Sequence, residues 1–284
     1  MYLVHVVHGC LFYLRLGMGG EAYEVGFLKQ CDKGEEMIGI VLVSSVYNPE
    51  ERLVIDEKGF VLSEDFTIAN DFDLIALEAA VRLKEEGVLE RVVVFSASPG
   101  TAHLLKALAM GADEALWAEV ELSALSPEIV AKTAICAVRQ HVGDLCDCVW
   151  FLGKIGVNFE SHQTGQILSH LLHVPCVSSA LKIDVEASGA WRIACESEFG
   201  VPTFCVTPPF VVTADLRLAE PRFPSLPNIV RARKKRVISV ECEREGAAKP
   251  ENGALREVVR IQKHCAWIDT QTLFERITAS GEKP

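Results

Sequence analysis

The chain has no apolar run near the roughly 20 residues needed to cross a bilayer; even its apolar opening is broken by His5, His8, Gly9 and Arg15, so membrane insertion is not expected. Basic residues are scarce. Lys and Arg total 28 against 39 Asp and Glu, a formal net charge of −11, which disfavours broad attraction to nucleic acid or an anionic lipid surface. Neither glycine-rich phosphate loop, GxGxxG or GxxxxGKS/T, is present. Ten cysteines occur, yet none form a CxxC pair, and Cys146 with Cys148 makes only a CxC. Reduced, buried or incidental thiols in a cytosol-like compartment are expected. His170 and His173 lie one helical turn apart with no carboxylate or thiol at a ligating interval, so no metal site is expected. No familiar catalytic constellation is found, and the chain is expected not to be an enzyme.

The first 36 residues hold three of the four tyrosines and show no sustained period of either kind. Their acids (Glu21, Glu24, Asp32, Glu35, Glu36) outnumber their bases (Arg15, Lys29, Lys33), unlike a transit peptide. Residues 1–36 are expected to be an atypical extension, with Met37 the true start. From Met37 strand and helix patterns alternate. Strands are expected at 39–46, 92–96, 115–118 and 149–152, with helices at 71–86, 101–110, 127–142 and 163–172. This order implies βαβ units on a parallel sheet, with ligands at the carboxyl ends of the strands. Strand patterns then follow one another without helices at 180–185, 191–194, 203–206 and 210–214, read as an antiparallel extension. A proline-punctuated loop and basic run at 221–235 lead to a short strand at 237–240. Residues 241–284 are read as linker and tail, with a short helix at 255–262.

Three segments stand out. The first, GKIGVNFESHQT, comprises Gly153, Lys154, Ile155, Gly156, Val157, Asn158, Phe159, Glu160, Ser161, His162, Gln163 and Thr164, a polar loop delivering the chain from a buried strand into a helix. Unpaired N–H groups at a helix start can hold a phosphate without a lysine-rich pocket, and the two glycines let backbone approach a ligand. The second is Asn70, Asp71, Phe72 and Asp73, where Asp71 or Asp73 is expected to cap the following helix. The third, PRFPSLPNIVRARKK at 221–235, exposes Leu226 on a stiff loop before Arg231, Arg233, Lys234 and Lys235. With an acidic chain and no stacking aromatics beside it, this run is not expected to bind nucleic acid.

Four blocks resemble the electron transfer flavoprotein β subunits, closest to the group serving acyl-CoA dehydrogenases: FDLIALEAAVRLKE at 72–85, LKALAMGADEA at 105–115, GK with HQTGQIL within 153–168, and VVTADLRLAEPRFPSLPNIVRARKK at 211–235. The last is highly specific. The resemblance spans about 37–240 and implies a Rossmann-like α/β fold, adenine nucleotide α-hydrolase-like, with a parallel sheet covered by helices on both faces and an antiparallel extension. It further implies a heterodimer with an α subunit that holds most of the FAD, and a structural AMP in the β subunit. Leu42, Ala97, the Asn70 to Asp73 segment and the loop from Gly153 to Thr164 fall at AMP-lining positions. Phe72 matches an aromatic facing the flavin, Glu196 a carboxylate contacting the flavin domain, and Leu226 the anchor of the partner-docking loop, with Arg231 and Lys234 on its positive flank.

The family pattern also implies electron transfer from acyl-CoA dehydrogenases to an electron transfer flavoprotein-quinone oxidoreductase, in the bacterial cytoplasm or the mitochondrial matrix. Departures are plain: Val157, Asn158, Phe159 and Glu160 replace a run of aspartates, Ser44 and Ser45 replace a basic strand ending, and Cys195 stands where an arginine usually precedes Glu196. Residues 199–209 are atypical too. Alternatives are a bifurcating relative with a second FAD in place of AMP, and a stand-alone adenine-nucleotide sensor of universal-stress type.

Overall fold

The structure, a computed structural model, describes residues 37–48, 50, 67–120, 125–156, 160–187, 189–198 and 200–242, together with the backbone of five strands in the first 60 residues. Residues 1–251 form one compact unit; a second unit, 252–284, lies outside the described residues, as does the helix expected at 255–262. The early strands are β1 (Tyr2–Val7), β2 (Cys10–Arg15) and β3 (Tyr23–Phe27). Then come β4 (Ile38–Leu42), β5 (Ser45–Tyr47), β6 (Ile55–Asp56), β7 (Gly59–Phe60), β8 (Thr67–Ala69), α1 (Asp71–Glu85), β9 (Arg91–Ser96), α2 (Ala102–Met110) and β10 (Glu114–Trp117). The chain continues through α3 (Pro127–Val142), β11 (Cys148–Gly153), α4 (Thr164–Leu172), β12 (Cys176–Val185), β13 (Trp191–Cys195), β14 (Thr203–Val206), β15 (Phe210–Ala214), α5 (Leu226–Ala232) and β16 (Val237–Ser239).

A 12-stranded sheet runs β1-β2-β3-β14-β13-β12-β15-β11-β4-β9-β10-β16. From β12 to β16 every neighbouring pair is parallel, as the alternating pattern implies. The reason lies in the side chains: along β4, β9 and β11 runs of five consecutive residues are buried but feed opposite faces. Val41, Val92, Val94, Val149 and Phe151 pack with α1 and α2, whereas Ile40, Val93, Phe95, Trp150 and Leu152 pack with α3 and α4. Period-2 alternation with both faces apolar is what a doubly covered strand requires.

Three expectations need correction. Strand β15, read as part of the antiparallel extension, is a parallel strand inserted between β11 and β12, and its residues are buried throughout. Continuous burial on both faces favours the sheet centre, and the run FVVTA carries that signal. Only β13 and β14 continue antiparallel from β12, whose first half pairs parallel with β15 and whose second half pairs antiparallel with β13. Secondly, the cap of α1 is Asn70, not Asp71 or Asp73. Thirdly, Leu226 opens the short helix α5 instead of lying in a loop, with Pro227 in the first turn, where a missing N–H costs nothing. The first 36 residues, which show no period in sequence, contain strands β1 to β3, with β3 pairing onto β14.

The buried side of α2 holds His103, 4% exposed, with Nε2 2.6 Å from Ser96 Oγ on β9. Burial pulls its imidazolium from the ordinary 6.5 down to about 4. Unfolded chain therefore takes up a proton near pH 6.5 that the folded state refuses until about pH 4, so stability is lost as pH falls through that window. Between pH 7 and pH 5 this group should cost on the order of 2 kcal/mol. Urea unfolding of the natural chain and His103→Asn at both pH values should show a smaller acid loss in the variant; equal losses would remove His103 from the account.

Candidate functional site

Strands β4, β9 and β11 end side by side where the sheet reverses its winding, the position at which open α/β sheets leave a crevice. A cleft enclosing about 850 Å³, counted out to open solvent, lies there. Its walls are the ends of the strands (Leu42, Phe95, Ser96, Leu152, Gly153), the residues just beyond them (Ser44, Ser45, Ala97, Ser98, Lys154), and the first turns of α1, α3 and α4.

One carboxylate holds the floor together. Asp73, in the first turn of α1, accepts from Ser44 N at 2.9 Å and Ser44 Oγ at 2.6 Å with one oxygen, and from Gly153 N at 3.0 Å with the other. It thereby ties the segment after β4 to the end of β11. Burial pushes its pKa up; the hydrogen bonds from Ser44, Asn70 and Gly153 work against that. Helix α1 comes so close that a Cβ on Gly153 would lie 2.6 Å from both Asp73 Oδ1 and Phe72 Cβ, which explains a glycine here. Asn70 adds a second tie, donating from Nδ2 to Ile155 O at 2.9 Å, and its N–H donates to Ser44 O at 3.0 Å.

Among the described residues two buried polar atoms at this cleft have no hydrogen-bond partner: Asn70 Oδ1 and Ser161 Oγ. Such atoms cost free energy when left alone and are the natural contacts of a polar ligand. Helix starts supply the complementary donors. Helix α3 is capped by Ser126, whose hydroxyl accepts from Ile129 N at 3.3 Å, but the Gln163 side chain caps none of the first N–H groups of α4. Helix α4 also sits hard on β15, where a Cβ on Gly165 would meet Thr213 Cγ2 at 2.6 Å. An acceptor and a hydroxyl beside an open helix start suit a neutral polar ring joined to an anionic group.

Of the residues singled out from sequence, Leu42, Asn70, Asp73, Ala97, Gly153, Lys154, Gly156, Ser161, His162 and Thr164 line this cleft. Asp71, Phe72, Ile155, Glu160 and Gln163 do not line it, although Phe72 packs over Gly153 and Ile155 O holds Asn70. Val157, Asn158 and Phe159 lie outside the described residues. Sequence reasoning did not select Ser96, Ser98 or Ser126 as lining groups; Ser96 ends β9 and Ser98 lies next to Ala97 just beyond it, and Ser126 before Pro127 is a helix-cap signature. Ser98 Oγ accepts from Ser45 N at 3.1 Å, joining the β4 and β9 sides.

Glu196 is drawn to the cleft rim through a charged chain. Lys154 Nζ lies 2.5 Å from Asp215 Oδ2 and 3.5 Å from Glu196 Oε2, and Arg217 reaches Asp215 Oδ1 at 3.1 Å and Glu196 Oε1 at 2.5 Å. Burial alone would raise Asp215, but the hydrogen bonds from Lys154 and Arg217 outweigh it and bring it to about 2. Asp215 and Arg217 sit inside the quoted block at 211–235, yet only the packing reveals their link to Lys154.

Leu226 is 73% exposed, and Phe223, not selected from sequence, is 99% exposed. Val230, one turn beyond Leu226 on α5, is also exposed. The segment is anchored from beneath: Arg222 pairs with Glu78 at 2.8 Å and with Glu85 on α1, while Arg82 reaches Glu220 O at 3.1 Å. Glu78 is buried, and the bonds from Arg222 and Arg82 override that burial and lower its pKa. Arg231 and Lys234 are exposed at the far end, with the Arg231 guanidinium donating to Asn228 Oδ1 at 2.7 Å.

The chain is a doubly wound α/β protein with a polar cleft at the switch point of its sheet and a separate exposed segment tipped by Phe223 and Leu226. Its family can be stated. The electron transfer flavoprotein domain model matches residues 59–244. An electron transfer flavoprotein subunit beta from Bradyrhizobium diazoefficiens is 38% identical over 191 residues, 66% of this chain and 74% of that protein. The human protein of the same name is 35% identical over 196 residues, 67% and 75% of the two chains, and the Arabidopsis thaliana mitochondrial one is 35% identical over 170 residues, 58% and 65%. The chain belongs to the electron transfer flavoprotein β-subunit family. No described helix is long and apolar enough to cross a membrane.

Asp73→Asn should test the tie. An amide places an N–H₂ against either Gly153 N–H or the Ser44 donors, leaving donor facing donor, at a cost of about 2 kcal/mol. Urea unfolding at pH 7 should show that loss; an unchanged midpoint would mean the carboxylate does not hold the strand ends.

Proposed function

We propose that this chain is the β half of a heterodimeric electron carrier that holds AMP in the cleft, orients an FAD-bearing α subunit, and presents the segment around Phe223 and Leu226 to flavin dehydrogenases such as acyl-CoA dehydrogenases. Electrons leave to a membrane electron transfer flavoprotein-quinone oxidoreductase. FAD, held mainly by the α subunit, supplies the redox chemistry of the complex; this chain makes and breaks no bonds.

The observation that carries the nucleotide assignment is the pair of unpartnered buried atoms, Asn70 Oδ1 and Ser161 Oγ, facing one cleft beside the uncapped start of α4. Asn70 Oδ1 can accept from an exocyclic amine, and Ser161 with the α4 amides can donate to a phosphate. Lys154 adds a cation at the rim, already shared with Asp215 and Glu196, so the nucleotide end of the cleft and Glu196 on the α-subunit side are electrostatically connected. Membership of this family removes the ground for the stand-alone sensor, since its members are named as subunits.

The isolated chain should be colourless and release close to one AMP per polypeptide on denaturation, with FAD recovered only after co-expression with an α subunit. Stoichiometric FAD from the isolated chain would assign the cleft to a second flavin instead. For docking, Leu226→Ala should weaken dehydrogenase-dependent flavin reduction by on the order of 1–3 kcal/mol in apparent affinity, and Phe223→Ala should act in the same direction. Both side chains are exposed, so thermal stability and AMP content should hold. A variant that melts early while coupling to the dehydrogenase at full strength would overturn the docking role.

A further inference from the structure

Beyond the cleft and the docking segment, two cysteines meet at the far edge of the sheet. Cys136 lies on the outer side of α3, and Cys242 follows β16, the last strand of the sheet. Cys242 Sγ is 3.7 Å from Thr133 O, and Thr133 is one helical turn before Cys136. The Gln140 amide bridges the same two segments, donating to Cys136 Sγ at 3.3 Å and to Glu241 O at 3.3 Å, so the residue preceding Cys242 is held one turn beyond Cys136. The Cys242 thiol thus lies against Thr133, one turn before Cys136, while Gln140, one turn after it, holds the preceding residue Glu241.

We propose that Cys136 and Cys242 are a disulfide-forming pair that staples the sheet edge to α3 when the surroundings turn oxidising. The oxidant is a low-molecular-weight disulfide. One cysteine thiolate attacks it, forming a mixed disulfide and releasing one small thiol; the second attacks the protein sulfur of that bond, closing Cys136–Cys242 and releasing the other small thiol. Two protein thiols are oxidised and one small disulfide is reduced to two thiols. The neighbouring structure gives the bond something to do. Strand β16 is held to the sheet through the register of Ala115 with Val237, Leu116 with Ile238 and Trp117 with Ser239, and through Val240 N to Trp117 O at 2.8 Å. A strand with so short a ladder at a sheet edge opens readily, and a cross-link closing the long loop from 136 to 242 restricts the unfolded chain strongly. Burial and the neighbouring sulfur push the Cys242 thiol up to about 12, so little of it is thiolate near neutral pH and exchange is faster in alkaline solution.

The test uses the whole chain. Tryptic cleavage after Lys132, Arg139, Arg236 and Arg244 isolates residues 133–139 and 237–244, each with a single cysteine. After incubation with oxidised glutathione, alkylation and digestion without reductant, mass spectrometry should find these two peptides joined, and the melting temperature should rise by several degrees and return on adding dithiothreitol. Cys136→Ser and Cys242→Ser should each lose the joined peptide and the reversible shift. Glutathione adducts alone at these positions, links of either cysteine to other partners, or a 136–242 link formed only in denaturant would overturn the proposal.

Discussion

The Asp73 carboxylate is the interaction on which the candidate site depends. Three donors from two different strand ends converge on it, and all three are backbone or short side-chain groups with little freedom to follow if it moves. Without it the tie between Ser44 and Gly153 is lost, and only the longer-reaching Asn70, bonded to Ser44 O and Ile155 O, still links the two segments through the start of α1. A buried charge is expensive: burial raises the pKa of Asp73 even though the hydrogen bonds from Ser44 and Gly153 oppose it and the first turn of a helix favours negative charge. The same carboxylate clarifies the departure at Ser44: where the family pattern has a basic strand ending, this chain uses a hydroxyl and an amide aimed inward at Asp73, and Ser45 N turns to Ser98.

Much of the fold was readable because its signals are local. Helix α3 runs over the expected 127–142, since Ser126, Pro127 and Gly143 punctuate an apolar stripe. The strands of the sheet centre announce themselves as continuous apolar runs, and β14 and β15 occupy the expected bounds. What escaped is non-local. Nothing within FVVTA says which strands will flank it, and the alternation of strands without helices around it suggested an antiparallel neighbour. Strands β1 to β3 join an edge by backbone pairing, which leaves little trace in residue pattern.

The site was legible in outline for a similar reason. The loop after β11 and the start of α1 carry polar residues at a strand-to-helix junction, and many of those residues line the cleft. Resemblance, and not periodicity, singled out Leu42, Ala97 and Glu196. Neither source pointed to the chain from Lys154 through Asp215 and Arg217 to Glu196, because residues distant in sequence meet only after β15 slides in beside β11. Phe223 went unselected since a single aromatic between prolines has no pattern; its near-complete exposure is a property of the anchored segment beneath it.

The insertion of β15 bears on how the molecule is made. A nascent chain leaving the ribosome delivers β11, β12, β13 and β14 before β15, although β15 belongs between the first two. Until residue 214 has emerged, β11 and β12 each present an unsatisfied parallel edge, and the cleft lacks the wall against which Gly165 seats α4. Vectorial synthesis therefore cannot complete the sheet from one end to the other. The arm formed by β12 to β14 must wait as a separate piece, and the last central strand to be translated is the wedge that joins it to the rest.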